Sequence, residues 1–108
     1  MRIAVSGASG FLGGRLVPAL VAAGHEVFAL ARSPGAARTA EALGATAIDG
    51  DLNAPPLKLP PCDAVIHAAA HFRFTGPREA FRRANVAGTR ALLDAAREAG
   101  ARRFVYVS

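Results

Sequence analysis

Val5-Ser6-Gly7-Ala8-Ser9-Gly10-Phe11-Leu12-Gly13 joins a short apolar segment to an amphipathic one, and its glycines stand three residues apart. Before it, Arg2-Ile3-Ala4-Val5-Ser6 is short, apolar and ended by glycine, the pattern of a strand buried on both faces of a parallel sheet. After it, Phe11 to Ala23 has helical spacing, with Leu12, Leu16, Leu20 and Val21 or Ala23 expected on one face and Gly24 as the closing residue. Pro18 falls inside this helix, where it removes one backbone hydrogen bond, so a slight kink at most is expected.

The same rhythm continues along the chain. Glu26 to Ala31 reads as a second strand, Ser33-Pro34 opens a helix running to Leu43, and Thr46 to Asp49 is a short third strand. Asn53 to Pro61 holds four prolines and reads as an irregular crossover. Ala64 to Ala68 is a fourth strand. A long helix then covers Arg78 to Ala99, with Phe81, Val86, Leu92, Leu93 and Ala96 as buried candidates, and Phe104 to Ser108 is a fifth strand. Strands alternating with helices imply parallel pairing through right-handed crossovers. The expected fold is therefore an α/β, Rossmann-type doubly wound sheet of order 3-2-1-4-5, occupying residues 1–108 as one domain. Because the chain stops on a strand, this domain is expected to be incomplete, truncated after its fifth strand with a sheet edge uncovered and marginal stability in isolation.

Composition narrows the function classes. At 108 residues, 52% hydrophobic and 19% charged, the chain is globular. No apolar run reaches the roughly 18 residues of a membrane span, and glycines break the start too early for a secretory signal. Cys62 is alone and cannot form an internal disulfide, which fits a cytoplasmic setting. The net charge of +5 comes from scattered arginines, with Lys58 the sole lysine. Neither a basic stripe nor interleaved aromatics support nucleic-acid binding. His67 and His71 are four apart but lie on a strand end and the loop beyond it, with no third ligand near in sequence, so no metal site is expected. His67 is expected to pack beneath the cofactor loop, and His71 to face the substrate. Asp63 reads as a loop residue and Asp94 as part of a solvated helix face.

The glycine stretch carries the chemistry. At a first strand-to-helix junction, one glycine permits the bend, one lets a diphosphate approach the backbone, and one lets helix and strand pack closely. Free amides and the dipole at the helix start then attract phosphate. The spacing is G-x-x-G-x-x-G rather than G-x-G-x-x-G, and a simple capping turn would also account for glycines alone; its place in the first dozen residues favours the cofactor.

Here the sequence resembles a known family. Gly7-Ala8-Ser9-Gly10-Phe11-Leu12-Gly13 is similar to the loop of extended short-chain dehydrogenases, the epimerase/dehydratase and dihydroflavonol-reductase group. Gly50-Asp51-Leu52, His67-Ala68-Ala69-Ala70, Asn85-Val86-Ala87-Gly88-Thr89 and Arg103-Phe104-Val105-Tyr106-Val107-Ser108 resemble later segments of that family in the same order. The resemblance implies an NAD(P)-dependent oxidoreductase or epimerase, with cofactor contacts from Gly7, Ser9, Gly10, Phe11, Leu12, Gly13, Asp51, Leu52, Ala68, Ala69 and Ala70. It implies that Asp51 meets the adenine amino group, that Ala68 to Ala70 line the nicotinamide side, and that Asn85 serves a catalytic relay or else a local helix bond.

Leu30-Ala31-Arg32-Ser33 has no carboxylate where NAD enzymes commonly hold the ribose hydroxyls, and a guanidinium pairs well with a 2'-phosphate. Arg32 thus points to NADP(H) over NAD(H), with NAD(H) possible; a solvated loop charge is the plain alternative. Phe72 to Pro77 reads either as an aromatic wall of an apolar substrate pocket or as an anchored surface loop. These features tilt the reading toward a reductase with a small non-sugar substrate. The family's Tyr-x-x-x-Lys pair is not in these 108 residues, since Tyr106 has no lysine four positions on and Lys58 lies far upstream. The 108 residues are expected to bind cofactor without turnover, with homodimerisation belonging to a longer chain. A non-catalytic dinucleotide sensor or structural subunit is the alternative, distinguished by whether that pair follows downstream.

Overall fold

The computed structural model describes residues 1–68 and 78–107, and the side chains of all of these except 78–84. Five strands, β1 (Arg2–Ser6), β2 (Glu26–Ala31), β3 (Thr46–Asp49), β4 (Ala64–His67) and β5 (Arg103–Tyr106), alternate with three helices, α1 (Phe11–Ala22), α2 (Pro34–Ala42) and α3 (Arg78–Glu98). All four strand pairs are parallel, in the order β3-β2-β1-β4-β5. The expected topology is the observed one. Its consequence is that the C-terminal ends of all five strands share one edge, with the direction of winding reversing between β1 and β4, where open α/β sheets place their ligands.

Each sheet face has its own core. Ile3, Val5, Val27, Ala29 and Ala64 point to one side and pack with Ala8, Val17 and Ala40 from the α1 and α2 layer. Ala4, Phe28 and Val65 point to the other and meet Leu92, Ala95 and Ala96 of α3, together with Leu57, Leu59 and Cys62. The alternation follows from the two-residue period of a strand covered on both faces. The proline-bearing crossover is irregular as expected, but it supplies two buried leucines, Leu57 and Leu59, to the second core.

Helix boundaries follow local chemistry. Ser33 caps α2, its Oγ accepting the Ala36 N–H at 3.1 Å, and Pro34 sits at the first turn, where its missing N–H leaves nothing unpaired. Gly24, Gly44 and Gly100 follow the three helices with positive φ. α1 runs unbroken through exposed Pro18.

Two expected helix faces are corrected. α1 buries Gly13 and Val17, with Leu20 and Val21 packed partly against them, whereas Leu12 is exposed and Leu16 only half-buried. The helix is turned by the one residue that can touch β1's loop without a side chain. On α3 the buried stripe is Gly88, Leu92, Ala95 and Ala96, at helical spacing, while Val86 and Leu93 are 68% and 40% exposed. Small residues around Leu92 let α3 lie close to the sheet, and Val86 and Leu93 share an exposed flank beside β5. The Phe81 side chain lies outside the described residues.

Candidate functional site

The geometry of the opening bend separates the work of its three glycines. Gly7 ends β1 at φ +81°, the left-handed region that a side chain disfavours, and its carbonyl accepts the Gly10 N–H at 3.0 Å to close the turn. Gly13 lies one turn into α1. A Cβ there would stand 2.1 Å from the Gly7 carbonyl oxygen and 2.6 Å from the Ala8 Cα, both rigid backbone, so helix and bend touch only because Gly13 is bare. Gly10 is different. It precedes the helix with extended backbone, and an added Cβ would meet only the Gly7 oxygen, at 3.4 Å. Neither packing nor backbone conformation demands a glycine at position 10; it suits the helix N-cap that it occupies and leaves the backbone open to a ligand.

The first turn of α1 carries no side-chain cap. Its leading N–H groups have no intrahelical acceptor by the geometry of any α-helix, and they stand at the positive end of the dipole. Ser9, Gly10, Phe11 and Leu12 are exposed around that turn, with the Arg15 guanidinium over the Phe11 ring at 4.6 Å. A bare bend, open amides and nearby exposed surface suit a diphosphate, so the residues present fit a dinucleotide.

Neighbouring strand ends supply the rest. Arg32 directly follows β2, is exposed, and has no ion-pair partner among the described residues. It borders a cleft of about 350 Å³ with Ser33, Pro34 and Ile48, which Glu41 and Asp49 also line. Asp51, half-buried after β3, accepts the Asn53 N–H at its Oδ1 (2.9 Å), a turn that fixes its carboxylate. Leu52 is held from the other side, since a Cβ on Gly88 would lie 3.2 Å from Leu52 Cβ. Asp51 and Leu52 are thus placed by a close contact with α3. Ala68 is half-buried at the end of β4, its N–H reaching Ser6 at 3.1 Å. Ala69, Ala70, His71, Phe72 to Pro77 and Ser108 lie outside the described residues.

His67 is the buried polar centre of this edge. Ser6 and His67 are register partners on β1 and β4, and Ser6 Oγ lies 2.6 Å from His67 Nδ1. His67 Nε2 is 3.0 Å from Thr89 Oγ1 on α3. The ring packs against Phe104 and, edge-on at 5.4 Å, against Tyr106. With only 3% of the residue exposed, burial disfavours the imidazolium and lowers the His67 pKa from its ordinary value. Both nitrogens are engaged by hydroxyls, one of them on Ser6, the residue before the glycine bend. The partners Ser6 and Thr89 were not anticipated. The available signal was a polar residue ending each of two adjacent apolar strands.

Asn85, half-buried one turn before Thr89, borders an open cleft of about 540 Å³ with Val86, Leu93 and Tyr106. Asp94 lines the same cleft and is exposed, as expected of a solvated helix face, whereas Asp63 does more than fill a loop: its Oδ2 accepts the Arg2 N–H at 2.8 Å and pins the start of β1. Burial, with the Asp63 charge second, raises the Cys62 pKa. Among the described residues no helix is long and apolar enough to cross a membrane, and no three His, Cys, Asp or Glu side chains gather as metal ligands do.

Comparison with known proteins agrees with this geometry. Over its full length the chain is 47% identical to a 4-hydroxy-2-methyl-3-oxo-4-farnesyl-3,4-dihydroquinoline-1-oxide ketoreductase of Stigmatella aurantiaca, spanning 33% of that protein. It is 38% identical to a 2-alkyl-3-oxoalkanoate reductase of Stenotrophomonas maltophilia, again over 100% of this chain and 33% of the relative. A short-chain dehydrogenase/reductase superfamily protein from Agrobacterium tumefaciens, solved with bound NAD, superimposes with a TM-score of 0.75 at 33% identity, covering 100% of this chain and 32% of that one. The chain thus spans about a third of the length of the proteins it matches. Residues 3–108 match the NAD-dependent epimerase/dehydratase family, and with the bend, the strand order and the identities in agreement, the chain belongs to that family.

Proposed function

We propose that this chain is the dinucleotide-binding part of an NAD(P)-dependent reductase that prefers NADP(H) and acts on a ketone or the corresponding alcohol. The observation that carries the reading is the division of labour in the bend: Gly7 is required by its φ, Gly13 by a 2.1 Å contact, and Gly10 by neither, so that its backbone stays open beside the helix start. The reductase choice is supported by the two relatives, each named for reduction of an oxo compound.

In this reading the amides opening α1 hold the diphosphate, the Asp51 carboxylate receives the adenine amino group, and Ala68 borders the nicotinamide side. The nicotinamide, when bound, supplies or accepts the hydride. Arg32 pairs with the 2'-phosphate, since a guanidinium offers two parallel donors to phosphate oxygens and, among the described residues, Arg32 makes no ion pair with Glu41 or Asp49 of the same cleft. Asn85 is the one residue of the proton relay that this chain contributes, and its place on α3 is fixed by the Thr89–His67 contact one turn away. A partner of small-molecule class and a homodimer of the longer protein complete the proposal.

Calorimetric titration of the chain with NADPH and NADH tests it directly. NADPH is expected to bind about tenfold or more tightly, and Arg32→Asp to remove that preference, the scale of one lost charge-assisted pair. A tenfold preference for NADH overturns the NADP assignment. Failure of both cofactors to bind overturns the functional reading itself.

A further inference from the structure

The buried polar chain Ser6–His67–Thr89 crosses three elements that carry different parts of the proposed site. Ser6 immediately precedes Gly7, and its Oγ also accepts the Ala68 N–H. Thr89 stands beside Gly88, the residue that seats α3 on Leu52, and one turn after Asn85. His67 touches both hydroxyls, at 2.6 Å and 3.0 Å, from the end of β4. We propose that His67 is a positioning residue, a proton-dependent latch that ties the glycine bend to α3 and holds only while its ring is neutral.

The argument is one of donors and acceptors. A neutral imidazole has one N–H and one bare nitrogen, so in either tautomer one hydroxyl donates to the ring and the other accepts from it. An imidazolium donates at both nitrogens. The hydroxyl that had been donating must then turn its proton away, and one of the two short contacts has to be remade. The surroundings favour the neutral ring. β1 offers it Ser6, and β5 offers Phe104 and the Tyr106 phenol. α3 offers Thr89, with Arg90, Asp94 and Arg97 along the cleft that Thr89 and Tyr106 share. Burial is the cause that lowers the ring's pKa, and among the described residues no charge partner adds to it. Protonation therefore comes at the expense of the latch, loosening the bend and the Asn85 turn together.

This inference deepens the cofactor reading and rests on it for its binding consequence, but the latch itself is testable without any cofactor. In nuclear magnetic resonance of the unliganded chain, the His67 ring signal is followed from about pH 8 to about pH 5, below the ordinary histidine range. The amides of Gly7 and Gly10 and those of Asn85 to Thr89 are expected to shift with the ring's own midpoint. A ring that titrates while either group of amides stays fixed overturns the latch. The binding arm uses adenosine diphosphate ribose, which keeps the diphosphate but lacks a 2'-phosphate that would itself titrate. Its affinity is expected to fall about tenfold over the same range, and to be weaker but flat with pH in His67→Asn. An unchanged slope in that variant overturns the proposal.

Thr89→Val, which keeps the shape and removes the hydroxyl, is expected to weaken binding about fivefold, and Thr89→Ser to restore it. Equal affinity for both variants and the parent chain counts against the latch. If the ligand binds at no pH, the cofactor reading falls, while the amide shifts still decide whether His67 couples the bend to α3.

Discussion

The two faces of the sheet are packed on different terms. On the α1 and α2 side, the buried residues are mostly small: Ala8, Ala29, Ala40, Ala45 and Ala64 accompany Ile3, Val5, Val17 and Val27. On the α3 side Phe28, Leu57, Leu59 and Leu92 add bulk beside Ala4, Val65, Ala95, Ala96 and the Cys62 thiol. The difference follows from what each face must do. The first brings a helix start against a strand end through bare backbone, so it has no room for large side chains at that point. The second admits both a long helix, brought close by Gly88, Ala95 and Ala96, and an irregular crossover, whose Leu57 and Leu59 are buried beside it. The first face is closed by the absence of side chains at the bend, and the second by large ones beneath the crossover.

Gly13→Ala should be the most damaging single methyl in the molecule. Its Cβ meets rigid backbone at 2.1 Å and 2.6 Å, so α1 or the bend must move. A loss of about 3 kcal/mol is expected, after a gain of about 1 kcal/mol from helix propensity is set against the overpacking. Dinucleotide affinity should collapse with it. Urea unfolding combined with calorimetry measures both, and a variant as stable as the parent would show that the faces do not differ as described. Leu92→Ala breaks the other face. Leu92 is fully buried, so its truncation should cost about 3 kcal/mol by leaving a cavity. Here dinucleotide affinity of the folded fraction should fall less than in Gly13→Ala, by about twofold to fivefold, because Leu52 packs on the same core as Leu92 while the glycine bend does not. A large affinity loss in this variant would erase the contrast.

The pH dependence of stability has a smaller amplitude and a definite sign. Burial lowers the folded-state pKa of His67, so as pH falls the unfolded chain takes up the proton first. The His67 contribution is complete above about pH 6.5, the unfolded value, and is lost as pH falls through the lower folded one. Urea midpoints between about pH 8 and about pH 5 should decline, and less so in His67→Asn. A midpoint that rises on acidification would reverse the assignment.

Much of this was legible beforehand, for reasons that particular residues make plain. The strand order followed from apolar runs punctuated by Gly7, Gly24, Gly44 and Gly100, because parallel strands buried on both faces leave a continuous signal. Helix faces were harder to read. Leu12 and Leu16 look like core by hydrophobicity, yet α1 turns Gly13 and Val17 inward, because close approach is dictated by a residue with no hydrophobic signal at all. Val86 and Leu93 misled in the same way on α3, where Gly88, Ala95 and Ala96 make the contact. The glycine bend was marked by its position between a strand and a helix, and Asp51-Leu52 only by resemblance to a family. The Ser6–His67–Thr89 chain could not, because it depends on a strand register that pairs residues 61 positions apart and on which turn of α3 faces them.

Gly10→Ala is the smallest perturbation and the sharpest test of the contrast between packing and function. The position has ordinary backbone angles, φ −83° and ψ 177°, and an added methyl meets only one atom, at 3.4 Å. Loss of about 0.5 kcal/mol is expected, because alanine opens a helix slightly less well than glycine. If a diphosphate comes to the backbone here, the methyl stands in its way, and affinity for NADPH should drop about tenfold while the unfolding midpoint barely moves. Gly13→Ala should lose both properties and Leu92→Ala chiefly stability, so Gly10→Ala completes the set by losing binding with little else. Unchanged affinity would mean that the bend is bare for reasons internal to the chain.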